Sequence, residues 1–132
     1  MTIPALDILG QQKYVRLTTF RRDGTPVPTP VWQVRDGDHL LVITNAMTGK
    51  VKRLRHTPRV LIAACDQRGQ VKPGAQDVEG TVEMITDVPE LDRLVGLFKD
   101  KYGFMFTVAG WVNRLRGRPF TDGVEIRISI PS

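Results

Sequence analysis

The clearest regularity in this chain lies near its end, where V-E-I-R-I-S-I (124–130) alternates apolar and polar side chains without a break. A period of two sends successive residues to opposite faces of a strand, so residues 120–130 are predicted to close the fold with apolar positions inward and Glu125, Arg127 and Ser129 outward. Residues 14–20 (Y-V-R-L-T-T-F) alternate in the same way and are rich in β-branched and aromatic types, which predicts another strand. Arg21-Arg22-Asp23-Gly24 reads as a hairpin turn, because Asp-Gly readily supplies the positive φ angles such turns need. The returning strand covers 25–35, and D-G-D at 36–38 turns it into a third over 39–44. A continuous apolar run at 60–66 and the alternating V-E-G-T-V-E-M-I-T at 78–86 add two more, with Gly80 read as a bulge or kink.

Elsewhere the period lengthens. Over 89–102 the apolar residues Leu91, Leu94, Val95 and Phe98 recur at 3–4 spacing, Asp87 stands at the N-cap position, and Gly103 ends the run. Residues 4–11 predict a short opening helix around Leu6, Ile8 and Leu9. Residues 104–116 predict a second, more apolar helix or an irregular segment. Its Phe104, Met105, Phe106 and Trp111 would furnish core or a subunit interface. Six strands joined mostly by hairpins, without a β-α-β-α rhythm, argue against a parallel nucleotide-binding sheet. The expected fold is mainly β: a six-stranded antiparallel barrel, closed or half-closed, with helices packed outside. The 132 residues suffice for one such domain, 1–132, and no more.

One strand carries an anomaly. Pro26, Pro28 and Pro30 sit two apart within 25–35, so they remove donors from the same side of the ladder. That strand is expected either at a sheet edge or beside a bound ligand, and Trp32 lies next to the proline-broken stretch.

Charge sharpens the picture. The net charge is +5, which favours anionic partners, but the distribution matters more than the total. Residues 77–100 hold seven acids and two bases, whereas no acid occurs from His39 through Cys65. Within that acid-free stretch lies T-N-A-M-T-G-K-V-K-R-L-R-H-T-P-R (44–59), read as a turn leading into a short helix from about Lys50. Val51 and Leu54 share its inner face, Lys50 and Arg55 flank that face, and Lys52, Arg53 and His56 point outward. A helix start favours negative charge, because its first amides present partial positive charge. Cations crowd this start instead, so an external anion is expected there, with hydrogen bonds from Thr44, Asn45 and Thr48 beside it. A solvated charged helix face is the plainer alternative. Arg114, Arg116 and Arg118 form a second basic cluster that either extends an anion track or solvates a loop.

Other chemistries are thinly supported. The single cysteine, Cys65, leaves no internal disulfide and no cysteine metal cage, and it reads as a small core residue. His39 and His56 have no acid beside them in sequence. No nucleophile elbow, zinc-protease helix, dinucleotide fingerprint or phosphate-loop motif occurs, so no catalytic side chain and no metal ligand is assigned. If the protein is an enzyme, a bound cofactor carries the chemistry. The strands lack an aromatic stacking platform for nucleic acid. No apolar run approaches a membrane span and the N-terminus has no signal-peptide pattern, so a cytoplasmic location is expected.

The ordered set P-V-P-T-P-V-W-Q-V, D-G-D, I-T-N, T-G-K-V-K-R-L-R-H-T-P-R-V and V-E-G-T-V-E resembles the split β-barrel flavin and deazaflavin oxidoreductases related to pyridoxamine 5′-phosphate oxidase. More closely it is similar to their small coenzyme F-420-dependent branch, from about Lys13 to Ile130. The resemblance implies a Greek-key split barrel and a homodimer with cofactor sites at the subunit interface. It implies hydride transfer between reduced coenzyme F-420 and an unsaturated small molecule, with FMN as the alternative cofactor and a non-catalytic F-420 carrier as the alternative role. Carried over position by position, Pro28, Pro30, Val31, Trp32 and Gln33 would border the ring. Thr44 and Asn45 would end the next strand, and Thr48 and Lys50 would take the phosphate. Lys52 is the second cation of the deazaflavin branch, and Arg55 a further candidate; Arg53 and Arg59 are left out. Two departures stand out. Gly49 occupies a position where the flavin oxidases commonly have arginine, and the oxidases' C-terminal Trp/Arg substrate motif is missing. Pyridoxamine phosphate oxidation is therefore not expected.

Overall fold

In the computed structural model, which describes residues 5–103 and 123–131, the alternating segments all form strands. The order is α1 (Ala5–Gly10), β1 (Tyr14–Phe20), β2 (Pro26–Val31), β3 (Val34–Asp36), β4 (His39–Asn45), α2 (Gly49–His56), β5 (Arg59–Cys65), β6 (Val78–Ile85), α3 (Val88–Tyr102) and β7 (Gly123–Ser129). They pair into one antiparallel sheet in the order β2-β1-β5-β6-β7-β4-β3. The expected helix over 104–116, with its apolar and arginine clusters, lies outside the described residues.

The expected strand over 25–35 is two strands, which raises the count from six to seven. β2 and β3 occupy opposite edges of the sheet, yet only Trp32 and Gln33 separate them. Laid flat, seven strands would hold their edges about 29 Å apart at ~4.8 Å per step. The three Cα steps from Val31 to Val34 reach at most about 11 Å. The sheet must therefore curl until its edges meet, which is the split-barrel architecture. The break itself comes from α3: the Gln33 N–H donates to the Tyr102 hydroxyl at 3.0 Å, and its carbonyl accepts from Lys101 Nζ at 2.8 Å.

The prolines behave as their spacing requires. β2 pairs only with β1, with Pro26, Pro28 and Pro30 opposite Phe20, Thr18 and Arg16. Lacking an N–H, they can occupy only the positions of that ladder that do not donate. Gly80 is not a bulge. Its pairing with Val60 is in continuous register, and a Cβ there would stand 3.0 Å from Ile128 Cγ2 and 3.2 Å from the Ser129 carbonyl. The glycine serves close strand approach.

Two apolar clusters result. Val15, Leu17, Leu40, Val42, Val60, Ile62, Ile126 and Ile128 fill the barrel, joined by Leu9 from α1 and Leu54 from α2. On the outer face, Leu94, Val95, Phe98 and Tyr102 of α3 pack over Val34 and Leu41. Asp87 caps α3 by accepting from the Glu90 N–H at 3.1 Å, and Gly103 ends it at φ 59°. Because α3 covers the outer face, one outward expectation is overturned. Glu125 pairs opposite Ile43 on that covered face and is fully buried.

Glu125 contacts Arg127 at 3.0 Å, and Arg127 reaches Glu90 at 3.3 Å, which Arg93 also holds at 2.8 Å. Burial, with the neighbouring Glu90, pushes Glu125 up to about 7, while hydrogen bonds from Arg93 and from Glu125 hold Glu90 down to about 2. A carboxyl raised on folding binds its proton more tightly folded than unfolded. Stability is therefore lost as pH rises from the ordinary carboxylate range through about 7. Glu125→Gln should remove that decline, which approaches on the order of 1 kcal/mol per pH unit for one proton. Urea unfolding of both proteins across pH 4.5–7.5 measures it, and a wild-type curve flat over that window would contradict the assignment.

Candidate cofactor site

The end of β4 and the start of α2 build a turn from their own hydroxyls and amides. Asn45 Oδ1 accepts from the Met47 N–H at 2.8 Å, and the Asn45 carbonyl accepts from both the Thr48 N–H (3.1 Å) and hydroxyl (3.0 Å). Thr44 and Thr48 hydroxyls lie 3.3 Å apart. With Thr48 so engaged, no side chain caps α2, although Thr48 is its N-cap, and no acid stands in its first turn. Uncapped first-turn amides remain a place for an anion.

The cations around that place are uncompensated. Among the described residues, the ion pairs involve Arg16, Arg35, Arg59, Arg93 and Arg127, and none involves Arg21, Lys50, Lys52, Arg53 or Arg55. Lys50 is partly buried, and burial first, then the Arg53 charge, lowers its pKa. Arg59, left out on sequence grounds, is occupied by Glu79 at 2.7 Å.

Arg53 does not point outward as expected. Its Nε donates to Thr19 Oγ1 at 2.6 Å, which draws the guanidinium over Gly49 toward Lys50. Gly49 and Arg53 are four apart on a helix, so that contact was readable from spacing; the buried Thr19 anchor on β1 was not. On the helical wheel Arg53 lies about 60° from Lys50, while Arg55 lies about 140° away on the opposite flank. Arg55 is therefore separated from the Lys50–Arg53 pair. Lys52 is solvent-exposed beside the same helix start.

The strand candidates divide. Pro28, Pro30 and Val31 run along the β2 edge, and Pro30 packs against Gly69 of the β5–β6 loop, 3.3 Å from where its Cβ would be. Trp32 stacks on Tyr102 with centroids 4.4 Å apart and planes at 8°, and meets Tyr14 edge-on at 6.4 Å. Gln33 is a correction. It is fully buried, and its amide donates to the Leu9 and Gln12 carbonyls at 2.7 and 2.8 Å, so its side chain ties α1 to the barrel instead of facing a ligand. Val27, opposite Thr19, brings one end of β2 near α2. From there to Trp32 is about 16 Å of strand, so a ligand touching both ends must be extended.

The end of α3 holds the Trp32 side in place. Lys101 Nζ donates to the carbonyls of Gly10, Gln12 and Gln33 at 3.1, 2.7 and 2.8 Å, with burial lowering its pKa to about 8. The Tyr102 hydroxyl bonds the Lys13 carbonyl at 2.7 Å and accepts from the Gln33 N–H. Neither residue was singled out from sequence. Among the described residues no cluster of His, Cys, Asp and Glu could hold a metal ion, and no helix is long and apolar enough to cross a membrane.

Comparison with known proteins decides the family. The profile described as pyridoxamine 5′-phosphate oxidase matches residues 2–129. The chain belongs to this family. The flavin and deazaflavin oxidoreductase resemblance read from the motifs is thus borne out, and so is the split barrel. No curated protein matches the sequence. Solved structures do: an F420 reductase at 21% identity (TM-score 0.66, covering 99% of this chain and 97% of that one) and an FAD-binding protein from Mesorhizobium loti at 20% (0.65; 100% and 93%). A heme storage protein from Vibrio cholerae matches at 13% (0.68; 96% and 87%). At such identities the likeness speaks for the shared fold alone.

Tyr102→Phe should destabilise the protein by about 1–3 kcal/mol, because the buried Gln33 N–H loses its acceptor. The same substitution should alter the near-ultraviolet signal of Trp32. Denaturant unfolding with an unchanged midpoint would show that the hydroxyl tie is unimportant.

Proposed function

We propose that this protein is a cytoplasmic, homodimeric oxidoreductase that uses coenzyme F-420, transferring a hydride between the reduced cofactor and an unsaturated small molecule. The observation that carries the reading is the uncapped, acid-free start of α2, where Lys50, Lys52 and Arg53 supply donors and charge beside Thr48 with no carboxylate paired to them among the described residues. That donor set suits a phosphate. Thr48 and Lys50 would hold it, Lys52 would add long-range attraction, and β2 from Pro28 to Val31 with Trp32 would lie along the remainder of the ligand. When bound, the deazaflavin supplies the hydride chemistry. The chain's own residues bind, orient and exclude water, so positioning accounts for most of the rate. No side chain of the described site is assigned proton transfer. The site of one protomer is completed in this reading by the second subunit.

FMN is the second reading, and one observation favours it. The Arg53 guanidinium lies where a side chain at Gly49 would project, so the phosphate position does have an arginine, supplied from the next turn. A third reading is a carrier that binds F-420 without turnover.

Titration of the purified protein with F-420 and with FMN separates the cofactors: micromolar quenching by F-420 and not by FMN is expected. Lys50→Ala should weaken F-420 binding by about 1.5–3 kcal/mol, the range for a hydrogen bond to a charged group. An unchanged dissociation constant removes Lys50 from the site. Oxidation of reduced F-420 by quinone or enone acceptors distinguishes the enzyme from the carrier.

A further inference from the structure

Arg53 is held where a free arginine would not stay. An exposed arginine has about 2 kcal/mol of rotamer freedom and would swing away from like charges. Here the Nε–Thr19 Oγ1 bond of 2.6 Å fixes it, and Thr19 is itself fully buried in β1. The guanidinium crosses the first turn of α2, with Nη1 2.7 Å from the place of a Cβ on Gly49. Lys50 follows Gly49 in the same turn, and Arg21 lies two residues beyond Thr19, just past the end of β1. Burial and then the Arg21 charge disfavour the Arg53 cation, as burial and then Arg53 disfavour that of Lys50. Arg53 is thus anchored on a buried hydroxyl with the Lys50 and Arg21 charges felt nearby, and no carboxylate is paired to any of the three among the described residues.

We propose that Arg53 and Arg21 form a second anion subsite beside Thr48 and Lys50, so that the ligand of this site carries two separated negative groups. One is the phosphate at the start of α2, the part that rests on the function proposed above. The other is a phosphate or carboxylate received by the free edge of the Arg53 guanidinium, whose planar fork suits such groups. Arg53 is then a specificity-determining residue that favours polyanionic ligands over those with a single anionic group. Gly49 is small because any side chain there would displace the guanidinium.

The test compares inorganic tripolyphosphate with inorganic phosphate by calorimetry on the intact protein. Tripolyphosphate should bind wild type about tenfold more tightly than phosphate, the worth of one added charged hydrogen bond. Arg53→Met should abolish that preference. Thr19→Val and Gly49→Ala keep the charge but release or push aside the guanidinium, and should each reduce the preference; Arg21→Met, at an exposed position, should do so too. A preference unchanged in these variants, an equal loss for both ions, or no heat with tripolyphosphate overturns the subsite. Titration of the same proteins with coenzyme F-420 separates the two proposals. Wild type that ignores F-420 but keeps the tripolyphosphate preference rejects the cofactor assignment and supports the subsite. F-420 binding that is insensitive to Arg53→Met, with the preference also unchanged, rejects the subsite alone.

Discussion

The two-residue link between β2 and β3 is the constraint on which this architecture depends. Trp32 and Gln33 join strands that belong to opposite edges of a seven-stranded sheet. The link can be that short only if the sheet is curled shut, and it stays unpaired only because α3 takes over its backbone groups. Lys101 and Tyr102, on the last turn of α3, bond the Gln33 carbonyl and N–H, while the Gln33 amide reaches the end of α1. Helix packing, barrel closure and the orientation of Trp32 are therefore one arrangement.

The charges are partitioned with equal economy. The acids of α3 and β7 are matched by Arg93 and Arg127, in a network where burial and the neighbouring Glu90 push the Glu125 carboxyl toward its protonated form. The cations of α2 and the β1–β2 hairpin receive no such partner among the described residues. Burying a carboxylate next to another costs stability unless a proton or an arginine compensates, and this outer face has both. At the start of α2 no such compensation stands among the described residues, which is why that end, and not the α3 network, is read as a place for a ligand.

Structures that share this fold at 13–21% identity are described as an F420 reductase, an FAD-binding protein and a heme storage protein. The arrangement at the start of α2 is local. A glycine at 49 opens space, an arginine one turn on fills that space, and a threonine on the neighbouring strand fixes the arginine. The cation cluster thereby gains a direction as well as a charge.

Much of this was legible in the linear chain. Strict alternation located the strands, the 3–4 stripe from Leu91 to Phe98 located α3, and Asp87 and Gly103 marked its ends, because these signals depend only on neighbouring residues. The uncompensated start of α2 was also visible, since charge and helix position are both local. Three features were not. The split of 25–35 at Trp32 depends on α3 being within hydrogen-bond reach of Gln33. The burial of Glu125 depends on a helix covering a face that alternation alone would assign to water. The turn of Arg53 toward Lys50 depends on Thr19, thirty-four residues away. Each was decided by a contact between distant segments, and a periodic pattern contains no information about which element will lie across a given face.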